Sequence, residues 1–121
     1  MLENKNLRPT IYHNPRCSKS RQTLALIEER GIAPNVVEYL KTPPTVAELK
    51  VILKKLGLKP RDLVRQGEPR YAELGLKDRD VDDDALIALM VANPILIERP
   101  IVVRGNQAAI GRPPEQVLEI L

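Results

Sequence analysis

The sequence predicts an α/β fold: a small mixed sheet flanked by helices, with a helical insertion in its middle. Three observations carry this expectation. The chain up to Leu40 alternates strand, helix and strand patterns; from Thr45 to Met90 apolar side chains recur at helical spacing; and from Arg99 onward two short strand patterns precede a last helical one. At 121 residues the chain is expected to form one domain, 1–121, large enough for a sheet with helices packed on it. No repeat, low-complexity tract or linker divides it.

Arg8 to His13 reads as a first strand, stopped by the Asn14-Pro15 turn. A helix is expected from Ser20 to Arg30, with Leu24 and Ile27 on its buried side and Gly31 closing it. Val36-Val37-Glu38-Tyr39-Leu40 reads as a second strand. Together they make a βαβ unit, whose first loop falls at the C-terminal edge of the sheet, where open α/β sheets bind ligands.

After Pro43-Pro44, Thr45 and Glu48 have the spacing of a capping box, and Val46, Leu49, Ile52, Leu53 and Leu56 form an apolar stripe that runs to Gly57. Short helices are expected over Pro60 to Val64 and Tyr71 to Leu76. Asp82-Asp83-Asp84 opens a longer one carrying Leu86, Leu89 and Met90. Carboxylates are favourable at a helix N-terminus, and three adjacent ones lack the alternating spacing of a calcium loop. Arg99-Pro100-Ile101-Val102-Val103 and Gln107 to Ile110 read as strands of a hairpin turning at Gly105-Asn106. A final helix is expected after Pro113-Pro114, burying Val117, Leu118 and Leu121. A βαβ start and a ββα finish around a helical middle describe a thioredoxin-like, more narrowly glutaredoxin-like, sheet with an insertion.

Composition narrows the function. Hydrophobic residues make up 43% with no Phe or Trp, so Leu, Ile and Val must build the core. A net charge of +3 with only Tyr12, Tyr39 and Tyr71 as aromatics gives little support for nucleic-acid binding and suits a small anion better. Met1 to Asn6 has no apolar leader region, and no stretch approaches a membrane span. One cysteine and one histidine argue against a disulfide scaffold or a structural zinc site and for a reducing, cytoplasmic setting. Nothing implies a tightly bound metal, nucleotide or haem. Without a heptad run or a long apolar edge strand, a monomer is expected.

The chemistry concentrates in His13-Asn14-Pro15-Arg16-Cys17-Ser18-Lys19-Ser20-Arg21, which holds the only cysteine and the only histidine. A thiol at the first turn of a helix faces unpaired N–H groups, and cations lie beside it; both favour the thiolate. A merely structural cysteine would have apolar neighbours, and this one has Arg16, Ser18 and Lys19. If Cys17 is oxidised in turnover, no second cysteine can resolve it internally, so electrons must come from another molecule. Arg65, Arg99 and Arg112 fall at element ends, where a guanidinium fork can meet a tetrahedral oxyanion. Spacing alone does not rank them above Arg61, Arg70 or Arg104.

Tyr12-His13-Asn14-Pro15-x-Cys17, Ser20-Arg21-x-Thr23-Leu24, Tyr39-Leu40, Pro43-Pro44, Leu74-Gly75-Leu76, Asn93-Pro94, Arg99-Pro100-Ile101-Val102-Val103, Arg112-Pro113 and Val117-Leu118 span Thr10 to Leu121. In these the sequence resembles the arsenate reductase family that uses glutathione and glutaredoxin. The resemblance implies that Cys17 attacks arsenate to form a thiolate–arsenic adduct, that Arg65, Arg99 and Arg112 bind the anion, and that His13 helps to keep the thiol ionised. It places Asn14, Ser18, Lys19, Ser20 and Arg21 around the substrate and implies a cis peptide before Pro100. Glutathione would be a co-substrate and glutaredoxin a protein partner. Ser18-Lys19 replaces the Gly-Thr of the well-known reductases, which removes a glycine and a hydroxyl and adds a charge. A C-x5-R phosphatase-like loop is disfavoured because Thr23 stands where the arginine would be. Other oxyanion or glutathione-linked thiol chemistry, fitting Cys17-x-x-Ser20, and a regulatory binding role remain alternatives.

Overall fold

A computed structural model describes residues 7–121, so the expectation for Met1 to Asn6 lies outside the described residues. The sheet has four strands: β1 (Thr10–His13), β2 (Asn35–Glu38), β3 (Ile101–Arg104) and β4 (Gln107–Ile110). Their order is β2-β1-β3-β4; β1 pairs parallel with β2 and antiparallel with β3, and β3 pairs antiparallel with β4. This is the mixed, thioredoxin-like sheet that the sequence predicts. Two compact units are distinguishable: one joins the chain up to Thr42 with Arg99–Leu121, and the other is Pro43–Glu98.

In the first unit, helix α1 (Ser18–Glu29) connects β1 to β2. Ile11, Ile27, Val102, Val117 and Ile120 form its core, with Leu24, Ile32, Ala109 and Leu121 packed against them. Helix α1 begins two residues earlier than expected. Ser20, read as the start, is the third helical residue, and its hydroxyl turns inward to His13 instead of capping. At the other end Gly31, with φ 75°, donates to Glu28, and Ile32 donates to Ile27; the positive φ is why glycine closes this helix. β2 stops at Glu38, short of the expected Leu40, because the N–H groups of Lys41 and Thr42 both turn back to the Glu38 carbonyl. Gly105, with φ 62°, supplies the first position of the two-residue hairpin turn.

The last element is a 3-10 helix, Pro114–Ile120, not the expected α-helix. Its buried residues are Pro114, Val117 and Ile120, one every third position, which lines them up only at three residues per turn. Leu118 and Leu121, expected inside, are half-buried.

The second unit contains α2 (Val46–Leu56), α3 (Pro60–Leu63), α4 (Pro69–Glu73), α5 (Asp83–Ala92) and a 3-10 turn, Pro94–Leu96. The Thr45 capping box is complete: the Glu48 N–H donates to Thr45 Oγ1 at 3.1 Å and the Thr45 N–H to Glu48 Oε1 at 2.9 Å. Val46, expected in the apolar stripe, is exposed, and Leu49, Ile52 and Leu53 are the buried members. Asp82 caps α5 by accepting the Ala85 N–H at 2.8 Å, the structural role the acidic triplet suggested. Among the described residues no helix is long and apolar enough to cross a membrane.

Candidate active site

The loop from β1 into α1 builds the site from its own backbone. The Cys17 N–H donates to the Asn14 carbonyl at 3.0 Å, and Asn14 Oδ1 accepts the Arg16 N–H at 3.0 Å, so Asn14 shapes the turn. Cys17 is the N-cap of α1 in an extended conformation (φ −93°, ψ 124°). The side chain is 9% exposed.

The thiol pKa is lowered. Burial opposes ionisation, but it is outweighed by the Ser20 N–H, the Arg99 charge, the Lys19 N–H and the Arg112 charge. Helix-end N–H groups and the charges of Arg99 and Arg112 therefore act together, whereas the residues alone pointed to the cations beside Cys17. Arg112 Nη2 lies 4.0 Å from Cys17 Sγ. Its Nε donates to the Arg99 carbonyl at 2.9 Å, which ties the two arginine-bearing segments together. Nε and Nη1 of Arg99 are shielded from solvent. Pro100 follows a cis peptide, as expected, and Arg112–Pro113 is also cis.

His13 sits beside the loop as a buried ring. Desolvation lowers its pKa, with Glu38 opposing and Arg21 assisting the shift, which favours the neutral ring. Its Nδ1 lies 2.6 Å from Ser20 Oγ, and that oxygen also accepts the Asn14 N–H at 3.0 Å. This suits a neutral ring that receives the serine proton. His13 thus contacts Ser20, the residue whose N–H acts on the thiol. Ser20 is fully buried, so it serves the sulfur with its N–H and the loop with its hydroxyl.

Ser18 and Lys19 form the exposed first turn of α1. Arg21, also exposed, donates from Nη1 to the Pro15 carbonyl at 3.0 Å and braces the loop from outside. Arg65 belongs to the helical unit, where Nη1 pairs with Glu68 at 2.7 Å and Nε approaches Glu98 at 3.9 Å. The arginines that spacing could not rank separate clearly. Arg61 donates to the Val81 carbonyl at 2.6 Å, Arg70 to Asn93 Oδ1 at 2.8 Å, and Arg104 to the Leu7 and Leu121 carbonyls at 2.8 and 2.7 Å. All three stitch the fold.

One contributor escaped the sequence reading. A Cβ on Gly111 would collide with Thr23 Oγ1 and sit 2.8 Å from Pro100 Cγ and 3.1 Å from Thr23 Cγ2. The Gly111 N–H donates to the Pro100 carbonyl at 2.9 Å. Arg112 is therefore delivered by a residue wedged between α1 and the Pro100 segment. A glycine after a strand was the only signal, and turns produce the same one.

Against this geometry, the comparison with known proteins is direct. The model of the ArsC family matches residues 12–120. The chain belongs to the ArsC family. It is 58% identical over 112 residues to an Escherichia coli K12 protein named uncharacterized protein YfgD, covering 92% of this chain and 94% of that one. It is 52% identical to an arsenate reductase of Neisseria meningitidis serogroup A, covering 92% of this chain and 96% of the relative. A solved arsenate reductase from Vibrio cholerae superposes with a TM-score of 0.92 at 58% identity, covering 95% of this chain and 98% of that one. Among the described residues no group of three His, Cys, Asp or Glu side chains is placed to hold a metal ion.

Proposed function

We propose that this ArsC-family protein reduces arsenate to arsenite through a Cys17 thiolate–arsenic adduct, with glutathione and glutaredoxin as reductants. The observation that carries the reading is an N-cap thiol with a lowered pKa and a guanidinium nitrogen 4.0 Å from its sulfur. Relatives similar over nearly the whole chain that bear the name arsenate reductase support the substrate.

The thiolate forms a sulfur–arsenic bond, and one arsenate oxygen departs as water after protonation. Arg99 and Arg112 draw charge from the remaining oxygens, which would otherwise repel each incoming thiolate. Glutathione then replaces a second oxygen, again as water. Attack by a glutaredoxin thiolate on the glutathione sulfur breaks the bond to arsenic and leaves its electron pair there, so As(V) becomes As(III) while glutaredoxin departs as a mixed disulfide. Water finally takes the arsenic from Cys17 and releases arsenite and the thiolate. The lone cysteine of the sequence fits this external supply of electrons. In this reading the protein is a cytoplasmic monomer that holds no cofactor tightly.

The test is arsenate-dependent NADPH oxidation coupled through glutathione reductase, glutathione and glutaredoxin, comparing wild type with Cys17→Ser. Turnover by wild type that is lost in the variant is expected. No turnover by wild type, with an active control enzyme in the same mixture, overturns arsenate as substrate and favours glutathione-linked thiol exchange.

A further inference from the structure

The oxyanion chemistry leaves one flank of the reactive loop without a role. A cleft of about 190 Å3 opens there, between the loop after β1 and the turn after β2, and Arg16, Glu38, Leu40 and Lys41 are among its lining residues. Strand order separates it from the arginines that act on the thiol. β2 and β3 lie on opposite sides of β1, so the cleft borders the β2 side, and Arg99 and Arg112 come from the segments bordering β3 and β4. A second nucleophile reaching arsenic above Cys17 from the cleft side avoids the oxygens that those guanidinium groups hold.

The cleft's chemistry suits that nucleophile better than it suits an oxyanion. Lys41 Nζ lies 3.5 Å from Glu38 Oε1, with both side chains substantially exposed, a pair that adds little to the stability of the fold. Side by side, a carboxylate and an ammonium complement a ligand end that carries both charges in reverse. Arg16 and Lys41 favour a carboxylate there, and Glu38 adds a partner for an ammonium that a simple anion lacks. Leu40, 41% exposed, offers an apolar contact beside the pair. The volume is below that of pockets that enclose whole drug-sized ligands, about 300–1,000 Å3, so only one end of a tripeptide fits. Arg16, which lines the cleft, is followed directly by Cys17, so the cleft borders the loop that carries the thiol.

We propose that this cleft is the subsite for the zwitterionic γ-glutamyl end of the thiol co-substrate, its ammonium on Glu38 and its α-carboxylate on Lys41, with Arg16 facing the remainder of the peptide. The proposal rests on the reading above that glutathione supplies the second thiol. Its test is separable from that reading. S-methylglutathione, which cannot react, is titrated into the isotope-labelled protein and followed by backbone amide shifts. Saturable shifts at Arg16 and from Glu38 to Lys41 are expected. Lys41→Glu is expected to weaken the apparent affinity about fivefold, and S-methylcysteinylglycine, which lacks the γ-glutamyl group, to bind about as weakly to wild type. Lys50→Glu, the same charge change in the helical unit, should leave the affinity at the wild-type value. Shifts confined to residues outside the cleft, no shifts at all, or equal affinities for wild type and Lys41→Glu overturn the assignment. An arsenate-inactive protein that shows the cleft shifts and their Lys41 dependence keeps the subsite and loses the arsenate reading; an active protein without them does the reverse.

Discussion

Gly111→Ala isolates the contact that delivers Arg112 to the thiol. The backbone at Gly111 does not lie in the left-handed region, so alanine meets no conformational barrier and the change probes space alone. That space is occupied from two directions: the new methyl would meet Thr23 Oγ1 and Cγ2 on α1 and Pro100 Cγ before β3. Neither neighbour yields easily. Both side chains are fully buried, and Thr23 Oγ1 is held by the Lys19 carbonyl at 2.8 Å. Overpacking of this kind costs about 1–3 kcal/mol, and for a domain of this size each kcal/mol lowers the melting temperature by about 4 °C. Because Gly111 adjoins Arg112, relief of the clash moves the guanidinium away from Cys17, and the thiol pKa rises toward its ordinary value. Denaturant midpoints and the pH dependence of alkylation of the single cysteine measure the two effects. Thr23→Ala removes two of the three collisions, so the double variant should be less destabilised than the sum of its parts. A Gly111→Ala protein with wild-type midpoint and alkylation profile would refute the wedge argument.

Other expectations follow from individual groups. Arg112→Ala should lower kcat/KM for arsenate about tenfold or more, with Arg112→Lys recovering only part because an ammonium lacks the planar fork; steady-state kinetics decide, and a full recovery by lysine would contradict the geometric role. Lys19 places a positive charge at the N-terminus of α1, against the helix dipole, so Lys19→Ala should stabilise the fold by about 0.3–1 kcal/mol while weakening arsenate binding. A loss of stability in denaturant titration would contradict that sign. The lowered Cys17 pKa links to folding in a definite direction: its stabilisation is fully present above the ordinary thiol range and is lost as pH falls through the lowered value. The stability difference between wild type and Cys17→Ser should therefore grow with pH across that window, and a pH-independent difference would exclude it.

The parts of the fold legible in sequence are those set by local rules. Thr45 with Glu48, Gly57 at φ 70° and Gly105 in a two-residue turn each act within a few residues, and the structure realises each one. The thiol at a helix end was equally legible, since a proline turn preceded it and cations flanked it. What stayed hidden depends on partners distant in sequence. Ser20 read only as the start of a helix; its hydroxyl is claimed by His13, which lies on the preceding strand. The closing 3-10 helix was masked because Val117, Leu118 and Leu121 also fit an α-helical stripe, and only packing against the sheet selects the spacing of three. Arg104 and Arg112 carry the same charge, yet Arg104, ending β3, binds the Leu7 and Leu121 carbonyls, while Arg112, beyond β4, binds the Arg99 carbonyl and also faces the sulfur.

Direct titration of the Cys17 thiolate by its ultraviolet absorbance, in wild type and Arg112→Ala, tests the central claim most closely, and the single cysteine leaves no ambiguity about the signal. A wild-type transition below the ordinary thiol value of about 8.5, moving upward in Arg112→Ala, is expected. A wild-type transition at that ordinary value, unmoved by the substitution, would contradict an anion site built around an activated thiolate.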